Sequence, residues 1–263
     1  MINRIEVSIT DRCNLNCAYC SHYASLCKDT KDMSVATFGG DIAVLSELTK
    51  NGRELGTLGI LGGEPFLHPQ LYDMLYIARK YLPFSRVRLT TNGTTILQLT
   101  GQQLAMLRRF DIEILISKYA QGIDYIGIER VLRANNITYK FTQNGHYTEF
   151  YKYSMDEKGE QTPEESHKNC TLWCGTYTCH ELRNGELYPC SQIARAYILN
   201  DKFGTNFKET MVDSITIRTH TLKEIEEFLK KPVLFCRYCK TKEWPINNMG
   251  KYKPSQCNKE EFI

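Results

Sequence analysis

The chain has 263 residues, 42% apolar and 24% charged, an ordinary globular composition with room for one large α/β unit and a small appendage. A formal charge of +3, with basic residues scattered and not striped, argues against a nucleic-acid surface, and no apolar run approaches a membrane span. Eleven cysteines, with no charged-then-apolar export segment ahead of them, fit metal ligation in a reducing cytoplasm and not a disulfide framework.

In chain order, a β-like run from Ile5 to Thr10 leads directly into Cys13-Asn14-Leu15-Asn16-Cys17-Ala18-Tyr19-Cys20. Thiolates bind soft metals and iron–sulfur clusters. Three of them on one loop can hold three irons of a cubane and leave the fourth open to a ligand. A closed structural zinc site uses four ligands and leaves no such position. His22, Tyr23 and Cys27 follow; they could line a substrate mouth or sit on a surface loop.

Helical spacing of Phe38, Ile42, Leu45 and Leu48 then ends at Asn51-Gly52. Thr57–Leu61 reads as a buried strand, and Leu71, Met74, Leu75, Ala78 and Leu82 as a helix. Val87–Thr91 is a strand, Leu104 and Leu107 mark a helix, and Ile112–Ile116 is a strand. Ile128, Val131 and Leu132 mark a helix and Ile137–Phe141 a fifth strand. This alternation predicts parallel strands with crossover helices. Tyr147–Tyr153 is the candidate for a sixth strand, although no helix pattern precedes it. The polar stretch Asp156–Lys168 reads as a linker.

In open parallel sheets, ligands lie at the carboxyl ends of strands. Gly62-Gly63-Glu64-Pro65 follows the second strand, Thr90-Thr91-Asn92-Gly93 ends the third and Ser117 closes the fourth. Each has a plainer reading as a turn or a structural serine. Seven more cysteines fall in the last third: Cys170, Cys174, Cys179, Cys190, Cys236, Cys239 and Cys257. Between them, Glu181–Tyr188 reads as a hairpin turning on Asn184-Gly185, which sets Cys190 across from Cys179. Thr221 and Glu224 have capping-box spacing for a helix that buries Leu222, Ile225, Phe228 and Leu229 and stops at Pro232; Cys236-Arg237-Tyr238-Cys239 comes next.

The C-x3-C-x2-C loop with Tyr19 before its last cysteine resembles the radical S-adenosylmethionine superfamily. The resemblance implies a partial (βα)6 TIM-like barrel over residues 1–150, a linker over 151–169 and a small C-terminal module over 170–263. It implies a [4Fe–4S] cluster on Cys13, Cys17 and Cys20 whose open iron binds S-adenosylmethionine. Tyr19, Gly62, Gly63, Glu64, Pro65, Thr91, Asn92, Ser117 and Phe141 would then hold the cofactor, with Glu64 near its ammonium and Phe141 toward its adenine. One electron cleaves the sulfonium, and the resulting radical takes a hydrogen atom from substrate.

The segment from Cys170 or Cys174 through Gly185 to Cys190 resembles the twitch and SPASM modules that bind auxiliary [4Fe–4S] clusters. The full SPASM pattern fails at Pro245, where the next cysteine would stand, so the match is to a twitch module (β-hairpin plus helix) with one auxiliary cluster. Its expected ligands are Cys170, Cys190, Cys236 and Cys239, with Cys174 and Cys179 as alternatives; structural zinc is the competing occupant. Compact members of this kind include an aminocyclitol dehydrogenase and the molybdopterin-pathway cyclase; the first is the better match in length and in its late C-x2-C. The function implied is oxidation of a hydroxylated carbon of a sugar or cyclitol, with a flavodoxin or ferredoxin as low-potential donor. Peptide modification (a crosslink, or an epimerisation with Cys257 as hydrogen donor) and a non-catalytic metal-binding role are the alternatives.

Overall fold

Alternation along the first strand sets the architecture. In β1 (Ile2–Thr10), Ile5, Val7 and Ile9 belong to the main apolar core, whereas Arg4, Glu6 and Ser8 point to the opposite side. The same two-residue period puts Val87 and Leu89 of β3 (Arg86–Thr91) and Ile112 and Ile114 of β4 (Ile112–Ile116) in that core. The computed structural model describes residues 1–27, 30–119, 122–170 and 179–263. Around these strands it places α1 (Val35–Leu48), β2 (Leu55–Gly62), α2 (Leu71–Tyr81), α3 (Gly101–Arg109), α4 (Tyr125–Ala134) and β5 (Tyr139–Phe141). Helix starts are fixed locally: Ser34 accepts from Thr37 N at 3.0 Å, Thr100 and Gln103 form a capping box, and Asp124 accepts from Gly127 N at 2.8 Å. Phe38, Ile42 and Leu45 of α1 and Met74, Leu75 and Ala78 of α2 close over the apolar side.

The remaining elements are β6 (Phe150–Tyr151), α5 (Pro163–Lys168), β7 (His180–Arg183), β8 (Glu186–Tyr188), α6 (Ser191–Phe203), β9 (Ile215–Thr216), α7 (Leu222–Leu229) and β10 (Asn248–Gly250). The main sheet runs β5-β4-β3-β2-β1-β7-β8-β9. Its strands are parallel from β5 to β7 and antiparallel from β7 to β9. This is the expected α/β partial barrel, with one correction. The segment Tyr147–Tyr153 is not its sixth strand: β6 pairs with β10 in a separate two-stranded sheet. The sixth parallel strand is β7, which joins the far edge of β1. The hairpin of the C-terminal module is therefore continuous with the barrel sheet.

That hairpin has the expected register, Arg183 opposite Glu186 and Glu181 opposite Tyr188. Asn184 (φ 52°) and Gly185 (φ 81°) are both left-handed, as a two-residue turn of the primed type requires. α7 carries the expected Thr221–Glu224 capping box. The stretch expected as a linker contains α5, whose Ser166 donates to Cys239 O at 2.9 Å. A second core, including Tyr23, Leu26, Met155, Ile193, Leu199, Phe235 and Phe262, lies under the cysteine-rich part.

Buried Asp41 of α1 ties the hairpin to the barrel. It accepts from Gly185 N at 3.0 Å and from Arg218 at 2.7 Å. Replacing it by Ala leaves a buried N–H without its acceptor, and Asp41→Ala should cost about 1–3 kcal/mol in chemical denaturation. A variant as stable as wild type would remove this tie from the account.

Candidate active site

The cluster loop is held by backbone contact. Gly63 N donates to Thr10 O at 2.9 Å and Glu64 N to Arg12 O at 2.7 Å, so the end of β2 lies against the start of the loop. A Cβ at Gly62 would stand 2.3 Å from Thr10 O, and one at Gly63 2.2 Å from Arg12 O and 2.9 Å from Cys13 Cβ. Only glycine fits either place. On its other side the loop pairs with the C-terminal tail: Ala18 N donates to Lys253 O at 2.9 Å and Ser255 N to Asn16 O at 2.8 Å.

Glu64 braces the strand ends. Its side chain is wholly buried and accepts from Phe66 N (3.2 Å), Thr91 Oγ1 (2.8 Å) and Asn92 N (2.8 Å). The Asn92 side chain donates to Asn14 Oδ1 at 2.9 Å and accepts from Thr94, linking the third strand end to the cluster loop. Pro65 begins a short buried turn behind it. The side chains of Glu64, Thr91 and Asn92 are thus engaged by protein. Backbone at Gly62, Gly63, Thr91 and Asn92 borders the cavity that the strand ends enclose.

That cavity, about 530 Å³, brings together Cys13, Cys17 and Cys20 with Tyr19, Gly62, Gly63, Thr91, Asn92 and Ser117. Tyr119, Phe150, Tyr151 and Tyr153 add an aromatic wall; Tyr119 stacks on Phe150 with ring centroids 5.5 Å apart. Ser117 hydrogen-bonds the buried Tyr119 phenol. Burial pushes the Cys13 thiol up to about 12 and raises Cys17 as well, and neighbouring cysteines add to both shifts. Such thiols ionise only against a metal, which displaces their protons. Three thiols on one wall of a roomy cavity fit a cubane with one iron facing inward. Besides Glu64 and Pro65, which sit behind the strand ends, two expected residues do not line the cavity. Phe141 packs edge-on between Tyr125 and Tyr139, and Cys257 donates to Ser25 O at 3.3 Å behind the cluster loop.

A second cavity is lined by Cys170, Cys190, Cys236 and Cys239 with Ser166, His167, Phe235 and Trp244. Burial raises the thiols of Cys190 and Cys239 well above the usual range; both feel Cys170 and Cys236, and Cys239 feels Cys190 as well. Among the described residues, no three potential ligands converge tightly enough for a single ion. Four thiols around one cavity are a donor set that either a cubane or a structural zinc would accept. Cys179 is not in this set; it lines the first cavity and hydrogen-bonds Glu6. Cys174 lies outside the described residues.

A superfamily model described as Radical SAM matches residues 7–141. The chain belongs to the radical SAM superfamily. As a member it carries a [4Fe–4S] cluster and uses S-adenosylmethionine. Similar curated proteins include the GTP 3',8-cyclases of Alkaliphilus oremlandii, 27% identical over 133 residues (49% of this chain, 33% of that protein), and of Staphylococcus haemolyticus, 30% over 158 residues (55% and 44%). The chain thus spans less than half the length of these relatives. Over nearly its whole length the fold is similar to BtrN in complex with AdoMet and 2-DOIA, at 19% identity, TM-score 0.57 and coverage of 91% and 93%. It is also similar to native anSMEcpe with bound AdoMet, at 14% identity, TM-score 0.53 and coverage of 90% and 89%. No helix among the described residues is long and apolar enough to cross a membrane.

Sequence reasoning missed the polar inner face of β1. Arg4 and Glu6 both line the cavity, as does His22. The signal was present in the alternation Arg4, Glu6, Ser8 within an otherwise apolar strand. Cys27 lines a different cavity, with Asp11 and Lys31, and Tyr23 is buried.

Two predictions follow from this geometry. Burial raises the Glu64 carboxyl to about 7, against the pull of its hydrogen bonds. The folded chain then binds that proton more tightly than the unfolded chain, so the associated stability is full below about pH 4.5 and is lost as pH rises through about 7. From pH 5 to 8, cluster-free wild type should lose about 2–3 kcal/mol more unfolding free energy than Glu64→Gln; parallel curves would contradict this. Separately, reconstituted wild type should hold about eight irons per chain, and both Cys17→Ala and Cys236→Ala about four. Cys17→Ala should lose cofactor cleavage while Cys236→Ala retains it. Four irons with stoichiometric zinc in wild type would remove the second cluster.

Proposed function

We propose that the protein oxidises a hydroxylated carbon of an uncharged, sugar-like or cyclitol-like molecule. The observation that carries this reading is the charge of the cavity. Among its described lining residues the charged ones are Arg4, Glu6 and Glu149, and Arg4 is ion-paired with Glu6. A nucleoside triphosphate, the class of substrate in the names of the curated relatives, needs several Lys or Arg groups for its phosphates. The cavity offers one guanidinium, already neutralised. An aromatic wall facing hydrogen-bonding groups suits a polyhydroxylated ring.

When bound, the first cluster with S-adenosylmethionine supplies a radical that takes a hydrogen atom, and a second cluster on Cys170, Cys190, Cys236 and Cys239 supplies a one-electron acceptor. Oxidising a carbinol carbon to a carbonyl releases one hydrogen atom, one proton and one electron, so the chain must also receive the proton. Of the two carboxylates at the cavity, Glu6 is buried and Glu149 is exposed. Glu6 therefore takes the hydroxyl proton. Tyr119, Phe150 and Tyr153 shield the reacting carbon from water, and the braced strand ends hold the cofactor side fixed.

The test is anaerobic turnover by the reconstituted holoenzyme with dithionite, S-adenosylmethionine and either neutral polyols or GTP. The expected result is 5′-deoxyadenosine formation stimulated by a polyol, with one carbonyl product per nucleoside. Stimulation by GTP alone would overturn the reading.

A further inference from the structure

Four buried polar atoms without a protein partner lie around the active-site cavity: Arg4 Nε, His22 Nε2, Ser25 Oγ and Thr90 Oγ1. Leaving a buried donor or acceptor unpaired costs about 1–3 kcal/mol each, so four at one cavity mark a place where a ligand completes the bonding. They arise from separate elements. Arg4 lies on β1, Thr90 on β3, and His22 and Ser25 on the segment after Cys20.

The strand between β1 and β3 leaves the space open. Gly59 of β2 stands in register with Glu6 on one side and Arg88 on the other. A Cβ there would lie 3.3 Å from Glu6 Cγ and 3.5 Å from Arg4 Nε. Gly59 therefore places no side chain beside Arg4 and Glu6, and Leu61, the next residue of β2 on that face, lines the cavity with them. The Arg4 guanidinium is committed to Glu6 through one terminal nitrogen, which leaves Nε as a donor. His22 Nδ1 is 3.4 Å from Ser21 Oγ, and Nε2 is the free end. Two hydroxyls, an imidazole and a guanidinium paired with Glu6 offer both donors and acceptors.

None of the four is among the residues that resemblance gives to S-adenosylmethionine, although Thr90 directly precedes one of them, Thr91, at the end of β3. We propose that Arg4, His22, Ser25 and Thr90 form the substrate subsite, and that they bind the hydroxyl groups of a neutral polyol ring. The assignment rests on the function proposed above and names the groups that would give it specificity. Each hydroxyl of such a ring can both donate and accept, so it can pair with the Arg4 Nε donor, with His22 Nε2 in either tautomer and with the Ser25 and Thr90 hydroxyls. A phosphate, which only accepts, would leave the acceptor side of these groups unpaired.

Calorimetry on the anaerobic holoenzyme, saturated with S-adenosylmethionine, tests it. The titrants are scyllo-inositol, a monoaminocyclitol, GTP and a neutral hexapeptide. The variants are Thr90→Val and His22→Phe. The expected result is binding of a cyclitol by wild type, weakened at least tenfold in both variants. S-adenosylmethionine affinity, read from the electron paramagnetic resonance of the reduced cluster, should stay unchanged. Cyclitol binding equal in wild type and variants would overturn the subsite while leaving the proposed function standing. Binding of neither cyclitol, or of GTP or the peptide in their place, would overturn both. Loss of cofactor affinity in step with cyclitol affinity would also overturn the subsite, since the residues would then serve the cofactor.

Discussion

The site depends on a backbone contact too close for any side chain. The start of the cluster loop lies on the end of β2, where Gly62 and Gly63 meet the carbonyls of Thr10 and Arg12. From that contact the remaining geometry follows. Glu64, next in sequence, turns inward and gathers Thr91 and Asn92, and Asn92 reaches back to Asn14 in the loop. Three strand ends and the cysteine loop thereby become one rigid unit. Rigidity of this kind has a catalytic use, because a radical is useful only against one aligned C–H bond.

The two cysteine centres share a support. Cys190 caps α6, and the first turns of that helix hold the loop that follows Cys20. Gln192 donates to Ser21 O at 3.2 Å and accepts from the Tyr23 hydroxyl. Arg195 donates to His22 O at 3.2 Å and is itself fixed by Glu181 at 3.2 Å on β7. The Tyr23 phenol feels thiols of both sets, Cys239, Cys190 and Cys20. A helix that starts at one centre and ends its hydrogen bonds on the other keeps their separation constant. The C-terminal tail, paired with Asn16 and Ala18, adds a second clamp.

Much of this was legible in the sequence where the signal is local. Strand and helix alternation, the Asn184-Gly185 turn, the Thr221 cap and the cysteine spacings are short-range features, and each is found in place. What was not legible depends on long-range pairing. Nothing in His180–Arg183 announces that it will pair with β1, some 175 residues earlier, so the sixth parallel strand was sought in Tyr147–Tyr153. Phe141 was assigned from its place at the fifth strand and Cys257 by elimination; Phe141 packs between Tyr125 and Tyr139, and Cys257 bonds Ser25 O. Arg4 and Glu6 were passed over because alternating charges on a strand ordinarily mean a solvated face. Here that face is the inside of a barrel.

If Cys13, Cys17 and Cys20 leave one iron for S-adenosylmethionine, the cofactor's amino group should lie on that iron. Electron–nuclear double resonance on the reduced cluster, with that amino group labelled with ¹⁵N, should show a resolved ¹⁵N coupling that vanishes when the label is omitted. A fully loaded cluster that shows no coupling in the presence of saturating cofactor would contradict that ligation.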